Sequence, residues 1–179
     1  QKAITNRIEV VARVRPCPDD ATDYAGFKKE ELNDNGIRIE IAPGMVIGND
    51  KNPSSQYNFA FDKLFWKNST QVQIFDAVAK PLIDHAIDGY NATLFAYGRT
   101  GSGKTYTLSG GDTYEERGIV PRGIAYIFKR IQEVHEYMFD VRVSYIEIFN
   151  TNAYDLLSNE EEARERRIDN LKHVNIFET

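Results

Sequence analysis

Apolar and polar positions follow three rhythms along this chain. From Arg7 to Arg15 the core reads IEVVARVR, dense in β-branched residues and closed by Pro16, which predicts a strand. Ile37, Ile39 and Ile41 alternate with Arg38 and Glu40, the period-two pattern of a half-exposed strand. Tyr57, Phe59 and Phe61 alternate again, and the two runs are expected to form a small antiparallel lobe. Asp19 to Gly36 is polar and reads as loop, and Pro43 to Gln56 carries turn residues throughout.

The rhythm then changes. Asn68-Ser69-Thr70 opens a helix, with Thr70 and Gln73 at capping-box spacing. Ile74, Phe75, Val78, Leu82, Ile83, Ala86 and Ile87 recur at helical intervals, and Gly89 is a natural stop. Pro81 falls inside the pattern and is expected to kink or split it. Ala92 to Tyr97, ATLFAY, is short and apolar, which predicts a buried strand. A glycine-rich loop follows, then a helix from Gly103 interrupted by polar residues Ser109 to Arg117. The helix resumes near Pro121, with Ile124, Ile127, Phe128, Ile131 and Val134 on one face. Val141 to Phe149, VRVSYIEIF, predicts the next strand. Asn159 to Arg167 is a charge run that suits a solvated loop or short helix, and HVNIFE near the end could begin another strand. Alternating strands and helices predict an α/β fold with a largely parallel central sheet.

Composition narrows the class. The chain has 179 residues, is 41% hydrophobic and 27% charged, and can bury a core as one domain. A net charge of −5 argues against a general nucleic-acid binder, whose domain is usually strongly basic. The single cysteine, Cys17, leaves no internal disulfide framework and fits a reducing compartment. The first sixteen residues hold no secretory apolar core, and no apolar run is long enough to span a bilayer. A cytosolic or cytoskeletal protein is expected, without membrane insertion.

The chemistry concentrates in Gly98-Arg99-Thr100-Gly101-Ser102-Gly103-Lys104-Thr105. Two glycines five apart, followed by Lys and Thr, form the phosphate-binding pattern. Glycines let the backbone wrap close to phosphate oxygens, and the following helix turns its positive end toward the same anion. Lys104 can reach the terminal phosphates, and the Thr105 hydroxyl can hold a magnesium ion. The competing reading is a chance glycine-rich turn, which the position between a strand and a helix disfavours. Hydrolysis needs more, including an aspartate at a strand end to hold the magnesium shell. Asp140, in YMFD, leads into a predicted strand instead of ending one, so a turn or cap residue is the better reading. Asn49-Asp50-Lys51-Asn52 is a scrambled echo of the guanine signature, so guanine is unsupported.

Around that loop, GYNATLFAYGRTGSGKTYTLSG from Gly89 to Gly110 closely resembles the kinesin motor domain. RVRP (Arg13 to Pro16), RGIVPRGIAYIF (Arg117 to Phe128) and VSYIEIFN followed by YDLL (Val143 to Leu157) match the same family in order. The segment from Gly110 to Gly118 is similar to the axonemal kinesin-nine type. The resemblance implies a phosphate-loop NTPase fold, ATP or ADP with magnesium as ligands, and microtubules (tubulin) as partner. It implies that Arg13, Arg15 and Pro16 border the adenine, with Pro16 and Tyr106 on its two faces. An aromatic after the lysine and threonine can turn toward a base, and a proline ring offers a flat apolar partner. Two positions depart from the family. Arg99 stands where Gln is usual and adds a cation beside the phosphates, and Thr151 stands where Glu usually follows SYIEIFN.

By the same resemblance, residues 1–179 match the N-terminal part of a single motor domain. The serine pair with Arg-Ser-His and the Asp-Leu-Ala-Gly-Ser-Glu switch do not occur in this sequence, nor do the microtubule-binding helix and neck linker. The chain is therefore expected to be a piece of a longer one and not to hydrolyse ATP by itself. The reading is the ATP-binding portion of a microtubule-stimulated ATPase that couples hydrolysis to movement, located on the cytoskeleton and, by the kinesin-nine likeness, in the axoneme of a cilium or flagellum. A nucleotide-binding pseudo-motor with a structural or regulatory role on microtubules is the alternative. An unrelated small phosphate-loop kinase would leave the four ordered matches unexplained. Oligomeric state is not readable from these residues.

Overall fold

The computed structural model describes residues 8–16, 27–29, 35–40, 56–157 and 173–174, with the side chains of 27–29 and 173–174 left aside. The predicted charge run at Asn159 to Arg167 lies outside the described residues, as does the predicted loop from Pro43 to Gln56 apart from Gln56 itself, which begins a strand. The chain divides into two compact units, residues 1–133 and 134–179.

The first unit starts with β1 (Val11–Arg13). Its neighbour is β5 (Lys63–Phe65), in parallel register with Val11 opposite Lys63 and Arg13 opposite Phe65. Asp62 stitches the start of this pair, because its N–H donates to the Val10 carbonyl and its carboxylate accepts from the Val10 N–H. The antiparallel lobe forms from β2 (Phe27–Lys29), β3 (Gly36–Glu40) and β4 (Gln56–Ala60), in the order β2-β3-β4. The alternation that predicted β3 and β4 holds, with Ile37 opposite Phe59 and Ile39 opposite Tyr57. Within the stretch Asp19 to Gly36, expected to be loop, Phe27–Lys29 pairs with β3 and Gly36 starts β3 itself. A three-residue strand gives too short a pattern to read, and its pairing depends on a partner elsewhere in the chain.

The helical run begins as α1 (Gln71–Ile74), where Thr70 and Gln73 complete the capping box in both directions. A π-helical turn, Phe75–Ala79, follows, and α2 (Lys80–Ile87) continues from it. Pro81 is thus accommodated by a widened turn just upstream. Its missing N–H would leave the Ala77 carbonyl without its helical donor, and the Lys63 ammonium donates there at 2.9 Å. Gly89, at φ 93°, ends the helix as expected, with the Gly89 N–H on the Ala86 carbonyl and the Tyr90 N–H on that of His85. Short α3 (Lys104–Leu108) and long α4 (Ile119–Glu133) complete the unit, with Pro121 in the first turn of α4.

The buried core sits where the first helical run meets its neighbours. Ile74, Phe75 and Ala79 are buried, and Phe75 meets the Tyr126 ring of α4 edge-to-face at 6.0 Å. Tyr126 donates its hydroxyl hydrogen to Asp84 at 2.8 Å, and Arg130 reaches the same oxygen at 3.1 Å. Between α2 and α4 lies an apolar groove of about 280 Å³, lined in part by Ile83, Leu94, Ile119 and Ile127.

Residues 92–97, expected to be a buried strand, have no regular structure, and Phe95 and Tyr97 are 73% and 96% exposed. Among the described residues no strand pairs with them. An apolar run becomes a strand only when a neighbouring backbone takes up its N–H and C=O groups. In the second unit the strand expected over Val141 to Phe149 is restricted to β6 (Ile146–Phe149). It pairs antiparallel with β7 (Asn152–Asp155), which in turn pairs with β8 (His173–Val174), inside the HVNIFE stretch expected to begin a strand. Thus the described residues hold one parallel pair and two antiparallel three-stranded sheets, where a largely parallel central sheet was expected. Asp140 consequently precedes irregular backbone instead of a strand, and it accepts from Arg142 in an exposed ion pair at 2.7 Å.

Candidate functional site

Three backbone features build the loop at 98–105. Ser102 donates its N–H to the Arg99 carbonyl at 3.1 Å, closing a tight turn. Gly103, which caps α3, has a left-handed backbone (φ 101°) that a side chain would strain by about 1–2 kcal/mol. At Gly98 a Cβ would stand 2.5 Å from the Ser102 hydroxyl oxygen and 3.2 Å from the Ser102 Cβ, so a side chain there would force Ser102 to shift.

Into this loop points its own cation. Lys104 donates to the carbonyl oxygens of Gly98 at 2.8 Å and Arg99 at 2.9 Å. An ammonium carries three donors, so these bonds hold the head over the loop without exhausting it. Arg15, two residues past β1, donates to the Gly101 carbonyl. The side chains of Arg99, Thr100 and Thr105 are exposed, with Thr105 in the first turn of α3. The loop therefore gathers the cations of Lys104, Arg15 and Arg99, the hydroxyls of Thr100, Ser102 and Thr105, and tightly turned backbone, a donor set that fits a polyphosphate with magnesium.

Beside the loop is a second cluster. The Arg13 guanidinium lies over the Tyr106 ring, 5.2 Å from its centre, and one of its nitrogens donates to Thr107 Oγ1 at 2.8 Å and Gln71 Oε1 at 3.0 Å. Burial pulls the Arg13 guanidinium below its ordinary pKa, while the facing Tyr106 phenol pulls it back up. Pro16 is exposed, just past β1. The structure thus joins Arg13 to Tyr106 and Arg15 to the loop, and one ring face of Tyr106 carries an arginine.

Two members of this cluster escape sequence reasoning. Gln71 is 5% exposed, the one buried polar residue among those described, and its amide donates to the carbonyls of Tyr106 at 2.7 Å and Glu116 at 2.9 Å. Thr107 supplies the hydroxyl that receives Arg13. A glutamine beside a helix cap reads as solvated, and the signal available was its place on the face shared with Ile74 and Phe75.

A phosphate-loop arrangement on an α/β scaffold is the class these features define. The kinesin motor domain profile matches residues 13–178 of the chain. The chain is 38% identical over 168 residues to the human kinesin-like protein KIF27, covering 90% of this chain and 11% of that protein. It is 36% identical over 153 residues to KIF9 of Mus musculus, covering 85% and 19%, and 35% identical over 159 residues to KLP1 of Chlamydomonas reinhardtii, covering 87% and 20%. The chain belongs to the kinesin motor domain family. It spans only 11–20% of the length of these relatives. Among the described residues no helix is long and apolar enough to cross a membrane.

Proposed function

We propose that this chain is the ATP-binding portion of a kinesin-like motor that couples ATP hydrolysis to movement on microtubules. The observation that carries the reading is Lys104 held over the glycine loop at the start of α3, in a chain of the kinesin motor domain family. Gly98, Arg99, Thr100, Gly101, Ser102 and Gly103 would wrap the β- and γ-phosphates, with Lys104 neutralising their charge and Arg15, just past β1, bracing the loop. Thr105 would hold magnesium, which offsets phosphate charge when bound. Arg13, Pro16 and Tyr106 would border the adenine. Hydrolysis in this class is mostly positioning and charge stabilisation, so Lys104 contributes electrostatically and not as a nucleophile. Partner and place follow from the same reading: microtubules, the cytoskeleton, and the axoneme by the likeness to the kinesin-nine type.

A motor must grip its track differently before and after the γ-phosphate leaves. In co-sedimentation of the full protein with microtubules, the bound fraction should differ between a non-hydrolysable ATP analogue and ADP. Equal fractions in both states, or no binding in either, would count against a motor.

A further inference from the structure

The buried amide of Gln71 touches three separate segments. Its oxygen accepts from Arg13 at the end of β1, and its nitrogen donates to Tyr106 in α3 and to Glu116 before α4. The partners decide which end of the amide is which. Arg13 can only donate, and two carbonyl oxygens can only accept, so Oε1 must face β1 and Nε2 the other two. Each bond answers a local need. The Tyr106 carbonyl belongs to a five-residue helix whose last carbonyls have no partner within it. The Glu116 carbonyl already accepts from the Gly111 N–H at 3.1 Å, within a turn closed by a bridge between Gly110 and Arg117. Gly110 in that turn has φ 97°, and a Cβ there would collide with the backbone of Glu116, Arg117 and Gly118. Arg13 gains from Gln71 a second anchor beside the Thr107 hydroxyl, and the two fix its plane over the Tyr106 ring.

None of these contacts reaches residues 98–105. Gln71 acts only on the flank where Arg13 and Tyr106 meet, while Lys104 is held by the loop itself. We propose that Gln71 is the positioning residue for base recognition: it sets Arg13 and Tyr106 as one surface and ties that surface to the turn at 110–117. This rests on the reading of residues 98–105 as a phosphate cradle. The base-dependent part of nucleotide affinity runs through Gln71, and the phosphate-dependent part does not.

The substitutions separate the two ends of the amide. Gln71→Met keeps the length and removes every hydrogen bond. Gln71→Glu keeps an acceptor for Arg13 and strengthens it with charge, but turns an oxygen toward two carbonyl oxygens. Calorimetric titration of the full protein with ATP and with tripolyphosphate, both with magnesium, reads base and phosphate recognition separately. In Gln71→Met, ATP should bind about tenfold more weakly while tripolyphosphate changes less than about twofold. In Gln71→Glu, ATP affinity should stay within about threefold of the parent, while the amides of Gly111 and Gly118 exchange with deuterium faster. If both ligands weaken together, Gln71 is a packing residue and the proposal fails; it also fails if neither changes. Should Gln71→Met not fold, Gln71→Glu decides alone, and slow exchange at Gly111 and Gly118 or a large loss of ATP binding in it overturns the proposal. A parent protein that binds neither ligand overturns the phosphate-cradle reading itself.

Discussion

Tyr106 is the residue at which a base and a bare phosphate would part company under the proposed function. The residue is 41% exposed, and Arg13 lies over its ring. Base–aromatic stacking contributes about 1–3 kcal/mol, so Tyr106→Ala should weaken ATP by about tenfold or more. Pyrophosphate, which has no base, should bind as before. Equal loss for both would remove Tyr106 from the base side. At this scale the sequence is most informative where residue type and spacing point to one chemistry: the glycines at 98, 101 and 103 with Lys104 and Thr105 suggest the proposed phosphate site from the pattern alone. Gln71 and Thr107 are not legible in this way, since a buried amide or hydroxyl earns its role from partners far away in sequence, here 35 to 58 residues for Gln71 and 94 for Thr107.

At the scale of elements, local signals were legible and pairings were not. Thr70 with Gln73, Gly89 and Pro121 all act within a turn or two of their own positions, and each stands where its pattern placed it. Residues 92–97 and 141–145 have strand-like composition, but a strand is completed by a neighbour, and composition cannot supply one. Pro81 disturbs the helix as its place in the pattern predicts, but the way it is accommodated, a π-helical turn with Lys63 on the freed carbonyl, involves a residue 18 positions upstream. The tie between α2 and α4 gives a prediction in pH. Burial first, then the hydrogen bond to Asp84 and the charge of Asp84, hold the Tyr126 phenol above its ordinary pKa near 10. A raised folded pKa means that the stabilisation is fully present below about pH 10 and is lost as pH climbs through the folded value. Tyr126→Phe should therefore melt lower than the parent at pH 8 but lose less of its melting temperature between pH 9 and 11, by circular dichroism. An equally steep fall in the variant would show that Tyr126 contributes nothing to that slope.

For the molecule as a whole, the glycine loop at 98–105 and the Arg13–Tyr106 cluster both lie in the first unit, residues 1–133. Arg13, the last residue of β1, serves one and Arg15, two residues further along the chain, reaches the other, so one short segment links them. The exposed apolar side chains at Phe95 and Tyr97 flank the entrance to the loop. Such surface is ordinarily covered in a soluble protein. Under the proposed function this loop serves ATP turnover on microtubules, and Lys104 is its most direct handle. The decisive measurement is microtubule-stimulated ATP hydrolysis by the full protein carrying Lys104→Ala. Loss of the cation over the phosphates should lower turnover by about a hundredfold or more, at a melting temperature close to the parent's. Turnover at the parent's rate in that variant would contradict the assignment of residues 98–105 as the site of ATP chemistry.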